Sequence, residues 1–304
     1  MILLQQMIIL FLIMGAGYFL GKKRILDEHV GKALSWMIVN ISNPALIVSG
    51  SFGGGMKAQE LFFLLFLASG IYAVLIIIAE LLVPLIWRRE GQNGIFKVLL
   101  VFSNIGFMGF PIISAVYGNE SLLKASVFLI PFNILIYTYG IRQISGKKIE
   151  KGEIVGNFCN AGIIACLCAL LISITGAGEK IPLLVQKTAN MLGELTAPLS
   201  MMVIGASFHG MNVKKALRNK KIIFFTVIKM IILPVLGMLV IRHLVKNTAT
   251  EGICMVLLAT PSGSMAAMLA MEYDGDYKGA SEVIALTTLL SVVTMPLVSW
   301  LCGV

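Results

Sequence analysis

Two stretches of this chain place proline among small polar residues inside otherwise apolar runs. One reads SNIGFMGFPI at residues 103–112, the other ATPSGSM at 259–265. Proline removes a backbone donor and its ring clashes with the carbonyl one turn earlier. Gly106 and Gly109 in the first stretch, and Gly263 in the second, let the backbone open further. A helix interrupted in this way exposes partial charge at each half-helix end, positive at the N-terminal ends. Two such ends, with the side chains of Ser103, Asn104, Thr260, Ser262 and Ser264, make a binding site for a small anion.

That is binding chemistry rather than bond-making chemistry. The three histidines, His29, His209 and His243, fall in loops or at helix ends, with no His-Glu-x-x-His and no Gly-x-Ser-x-Gly elbow. Gly53-Gly54-Gly55 reads as a flexible turn. Cys159, Cys166, Cys168, Cys254 and Cys302 are odd in number, lie in or beside apolar runs and lack metal-ligand spacing, so they read as reduced, buried thiols. The expectation is a protein that is not an enzyme, with no metal and no resident cofactor.

The elements that must position these residues are membrane helices. Of 304 residues 58% are hydrophobic and 13% charged, with mean hydropathy +0.92. A soluble fold of this size could not hide that much apolar surface. Ten apolar runs, near 3–21, 31–51, 61–87, 96–117, 122–142, 158–175, 188–208, 222–244, 251–271 and 280–303, are long enough to span a core of roughly 30 Å. The chain is expected to be an all-α polytopic membrane protein, because only helices satisfy their backbone within each spanning segment and no alternating barrel pattern is present. No connection is long enough to fold as a soluble domain.

Net charge is +9, but the basic residues cluster between apolar runs, which points to membrane topology and away from nucleic acid. The clusters are Lys22-Lys23-Arg24, Arg88-Arg89, Arg142 with Lys147, Lys148 and Lys151, and Lys214, Lys215, Arg218, Lys220 and Lys221. With both termini outside, 17 Lys and Arg fall in inner loops and 6 in outer ones. The N-terminal run has no basic residue before it and does not read as a cleavable signal. The expected location is the cell membrane, with multiple passes.

The prolines suggest a repeat. Pro84 and Pro111 are 27 residues apart, as are Pro234 and Pro261, and one offset of 150 relates the two pairs. Pro44 pairs more loosely with Pro198, and Pro131 with Pro296. The second and seventh runs end in SGSF and GASF. Residues 1–142 and 158–304 then form two five-helix repeats, joined by a cytoplasmic loop at 143–157. An odd helix number inverts the second repeat, which is the layout of carriers whose sites form where broken helices meet.

Four phrases carry a family resemblance: NISNPALI (40–47), SNIGFMGFPI (103–112), TAPLSMMVIGASF (196–208) and ATPSGSMAAMLA (259–270). In order and spacing the whole chain resembles the auxin efflux carrier family, including bacterial malonate and malate permeases. It is more distantly similar to bile acid–sodium symporters. The resemblance implies an elevator-like carrier whose fourth and ninth helices cross at their prolines, here Pro111 and Pro261. It implies that Asn104 contacts a substrate carboxylate and that Asn43-Pro44 and Ala197-Pro198 line a static scaffold. Helices one, two, six and seven would form that scaffold and a homodimer interface, and the other six would carry substrate.

A charge at mid-bilayer costs about 2.5–3.5 kcal/mol on insertion scales, which makes Glu80 and Lys229 conspicuous. Shifted by 150, Glu80 lands one residue from Lys229, so an ion pair between them is possible. Glu194, near the outer end of the seventh helix, is a second candidate for a coupling or structural charge. Asp27, Asp274 and Asp276 all lie in loops, which weighs against cation exchange. Asn40, Ser42 and Asn43 could lend oxygens to sodium. The expected function is secondary transport of small mono- or dicarboxylates such as malonate or malate, with a proton or sodium as possible coupling ion. The alternatives are a sodium-coupled organic-anion symporter of the bile acid type and a non-transporting sensor on the same fold.

Overall fold

A computed structural model describes residues 2–52, 56–87, 93–146, 161–210, 217–273 and 275–303. Several expectations fall outside them: those on Gly53-Gly54-Gly55, Arg88, Arg89, Lys147, Lys148, Lys151, Cys159, Lys214, Lys215 and Asp274, and most of the 143–157 connection.

The elements among the described residues are all helical, and helix occupies each of the ten apolar runs. Five helices are long and apolar enough to cross a membrane: Leu3–Lys22, Ala58–Ile86, Glu120–Ser145, Lys220–Leu244 and Tyr277–Cys302. Ile105–Tyr117, Ala161–Thr175 and Thr248–Ala259 are shorter apolar helices. Their outer faces carry large apolar side chains that water would not tolerate in such number. Phe66, Leu184 and Trp300 are 82%, 77% and 76% exposed.

Short polar residues start the helices where the sequence places loops. Asp27 accepts from the Val30 amide at 2.9 Å, Asn247 from the Thr250 amide at 3.1 Å and Asp276 from the Gly279 amide at 2.9 Å. Each satisfies one of the amides that a helix start leaves unpaired. Two of the three aspartates are therefore helix caps.

Proline leaves a second signature. Three helices begin with proline as their second residue: Asn43–Ser49, Phe110–Tyr117 and Leu233–Leu244. Each follows directly on a π-helical turn, at Ile38–Ser42, Ile105–Gly109 and Ile228–Ile232. The ring blocks the bond to the carbonyl four residues back, and the wider turn makes room for it. For Pro111 the freed carbonyl is that of Phe107, and the Ser200 hydroxyl donates to it at 2.9 Å.

The helices pack into two compact units, each drawing on both halves of the sequence. The first comprises 1–67, 106–130 and 159–210. Its main seam joins Ile2–Lys22 to Thr196–Ser207 through glycines. A Cβ on Gly17 would overlap the Met202 backbone, and one on Gly205 the Met14 backbone. At Gly21 the Ala206 Cα would lie 2.8 Å away. Lipid offers no hydrophobic force between helices, so this close backbone approach is what holds them together.

The second unit comprises 68–105, 131–158 and 211–304. Tyr72, Phe102 and Phe132 form one aromatic cluster within it, with Phe102 and Phe132 edge to face at 5.3 Å. Trp87 stacks on Phe96 at 3.9 Å, and Phe225 meets both edge-on.

Two predictions follow from the first unit. Gly205→Val should destabilise it by roughly 2–3 kcal/mol, because the Met14 backbone cannot yield as a side chain would. A lowered melting midpoint of the detergent-purified protein reads this, and an unchanged midpoint contradicts the seam. Ser200→Ala should cost about 1–3 kcal/mol by stranding the Phe107 carbonyl. Ser200→Thr, which keeps the hydroxyl, should retain most of the lost stability in the same melting measurement.

Candidate functional site

The two interrupted helices meet inside the second unit. The helix Asn93–Val101 stops at Phe102, and Thr248–Ala259 stops at Thr260. Their extended residues pair antiparallel, Ser103 opposite Ser262. The Asn104 amide donates to the Pro261 carbonyl at 2.7 Å, and the Gly263 amide to the Phe102 carbonyl at 2.9 Å. Gly263 sits so close to the facing strand that a Cβ there would lie 3.2 Å from the carbonyl oxygens of Phe102 and Ser103.

The crossing therefore lies at Ser103 and Ser262, and not at two prolines. Pro261 is within the pairing. Pro111 is eight residues past Ser103, buried inside Phe110–Tyr117 in the first unit. The reason is the π turn at Ile105–Gly109, which absorbs the Pro111 ring without unwinding the helix.

Both helix C-termini are capped by side chains. The Ser262 hydroxyl donates to the Leu99 carbonyl at 2.9 Å, and the Thr260 hydroxyl to the Leu257 carbonyl at 3.0 Å. Lys229 donates to the Leu100 carbonyl at 2.9 Å and to Ser103 Oγ at 2.6 Å. The Ser262 amide donates to the Thr287 hydroxyl at 3.3 Å. These carbonyls carry the negative partial charge of the helix end, which suits hydroxyl and ammonium donors.

Thr260 and Ser262 are thus committed to backbone. Asn104 and Ser264 are not. Asn104 is 5% exposed, yet its side-chain Nδ2 has no partner, and neither has the buried Ser264 Oγ. Ser264 opens the helix Ser264–Glu272, whose N-cap, Gly263, supplies no side-chain bond. Ser103 Oγ, accepting from Lys229, keeps its own hydrogen to donate. The arrangement offers donors and a helix N-terminus, the requirements of an anion.

The remaining expected site residues fall elsewhere. Gly106, Gly109, Asn43 and Pro44 belong to the first unit, where a Cβ on Gly106 would lie 3.1 Å from Asn43 Nδ2. The Asn43 Oδ1 is buried without a partner. The Asn40 amide donates to the Trp36 carbonyl at 2.9 Å. Glu194 ends the helix Leu183–Glu194 with an exposed side chain. No ion pair joins Glu80 to Lys229. Glu80 takes Lys97 at 2.6 Å, the Tyr139 hydroxyl at 2.8 Å and the Gln143 amide at 2.7 Å. Among the described residues no three His, Cys, Asp or Glu side chains gather as a metal ion would need.

Sequence reasoning missed Thr287 at the crossing, and Ser200 beside the Pro111 turn of the first unit. Ser200 carries a weak signal, standing two residues after Pro198 in a phrase already singled out. Thr287 carries none.

The family profile described as "Membrane transport protein" matches residues 2–156 and 146–299. An uncharacterised transporter of Methanocaldococcus jannaschii is 26% identical, with 99% of each chain covered. An uncharacterised transporter of Methanothermobacter thermautotrophicus is 23% identical, with 92% of each chain covered. With apolar helices throughout and profile matches along nearly its whole length, the chain belongs to the membrane transport protein family, the auxin efflux carrier family, and is a multi-pass transporter of a small molecule across a lipid bilayer.

Proposed function

We propose that the chain is a secondary carrier of small organic anions, mono- or dicarboxylates of the size of malonate or malate, working in the cell membrane. The observation that carries this reading is the Asn104 side chain, buried with an unpartnered amide nitrogen beside the pairing of the two interrupted helices. A buried donor left open costs about 1–3 kcal/mol, a cost that a ligand accepting its hydrogens removes. Ser264 Oγ and the N-terminus of Ser264–Glu272 add donors of the same sign preference. Lys229, Ser262 and Thr260 occupy the Leu100, Leu99 and Leu257 carbonyls, which lessens the negative charge of the helix ends beside the crossing.

In this reading the ten apolar runs all span the bilayer, as two inverted repeats covering 1–142 and 158–304, with both termini outside. Transport is of the elevator type, and the carrier is a homodimer through its scaffold helices. The division into two units supports it. The first unit holds the helices of the first, second, sixth and seventh runs, the expected scaffold, together with parts of the third, fourth and fifth at 58–67 and 106–130, and the second holds the crossing.

The test is counterflow of labelled malonate and malate in proteoliposomes. Saturable counterflow is expected for one of them. Asn104→Ala should reduce it at least about tenfold while the melting midpoint without substrate stays close to the parent's. Undiminished counterflow in that variant would remove Asn104 from the site. Absence of counterflow for every small carboxylate, with folded protein, would leave ligand sensing as the better account.

A further inference from the structure

Among the described residues Lys229 is the one basic side chain in the set of largest fully buried residues, 2% exposed. It lies in the π-helical turn Ile228–Ile232, a wider turn of the kind that frequently marks functional positions. Its Nζ rests on the Leu100 carbonyl and on Ser103 Oγ. A carbonyl at a half-helix C-terminus, with a hydroxyl beside it, is the kind of neutral oxygen to which ion-coupled carriers bind a cation. No carboxylate pairs with Lys229 among the described residues, and Glu80 is engaged by Lys97, Tyr139 and Gln143.

We propose that Lys229 is a built-in cation that occupies the sodium-type position at the crossing, so that this carrier binds its anion without sodium. The inference rests on the anion-carrier reading above. An ammonium held only by neutral oxygens in a dry interior lacks a counter-charge. A carboxylate arriving at the crossing supplies one. Ser103 takes a hydrogen from Lys229 and keeps its own to donate. Lys229 is thus a positioning and charge-balancing residue, and no exchangeable metal ion is needed in its place.

The test uses the full-length protein with two substitutions. Lys229→Ala opens a space for a small cation, whereas Lys229→Met fills the space without charge. Malonate counterflow is measured with sodium, methylammonium or choline as the only monovalent cation. The unsubstituted protein should be equally active in all three. Lys229→Ala should fall at least about tenfold in choline and recover in methylammonium or sodium. Lys229→Met should fold and remain inactive in every cation. The melting midpoint without substrate gives an independent reading, since methylammonium should raise that of Lys229→Ala in a saturable way and leave the other two unmoved.

Sodium dependence of the unsubstituted protein, full activity of Lys229→Met, or absence of any cation effect on Lys229→Ala would each overturn the proposal. Silent counterflow in the unsubstituted protein, with the melting response of Lys229→Ala intact, would instead refute malonate as cargo and leave the cation position standing.

Discussion

Two hydrogen bonds, Asn104 N–H to Pro261 O and Gly263 N–H to Phe102 O, decide what the second unit can be. Backbone opened within hydrocarbon has no water to turn to, and each bare group costs several kcal/mol. A single interrupted helix would carry that cost alone. Two interruptions laid antiparallel satisfy each other and so can persist at depth. Several carbonyls at the helix ends take side-chain donors instead: Leu99 from Ser262, Leu100 from Lys229 and Leu257 from Thr260.

This matching sorts the polar residues into two groups. One group is consumed by the scaffold of the break. The other, Asn104 Nδ2 and Ser264 Oγ, has no partner. A transporter needs both conditions together. The break must be stable without cargo, yet some donors must gain a partner only when cargo arrives. The first unit handles an analogous difficulty differently. There Ser200 repairs the one carbonyl that Pro111 strands, and glycines bring backbones into contact.

Much of this was legible in the residues. Apolar length gave helices, and Asp27 and Asp276 in loops proved to be caps. The polar phrases at 103–104 and 260–264 marked the crossing because polarity at depth has few structural excuses. Proline was the less reliable guide. Pro261 sits in a break, but Pro111 does not, because a π turn can accommodate the ring and sequence carries no sign of which solution a helix adopts. The same limit applies to Glu80 and Lys229. Related positions along the chain do not fix which way side chains turn, and Glu80 found Lys97, Tyr139 and Gln143 within reach instead.

The antiparallel pairing is only a few residues long, and its side chains alternate across it as in any extended strand. One residue inserted or removed between Phe102 and Asn104 would exchange the two faces, turning the Asn104 amide away and presenting its neighbour. Spacing in this segment is therefore fixed by parity. A lineage built on this crossing can exchange letters within it, but cannot change their count without exchanging its faces.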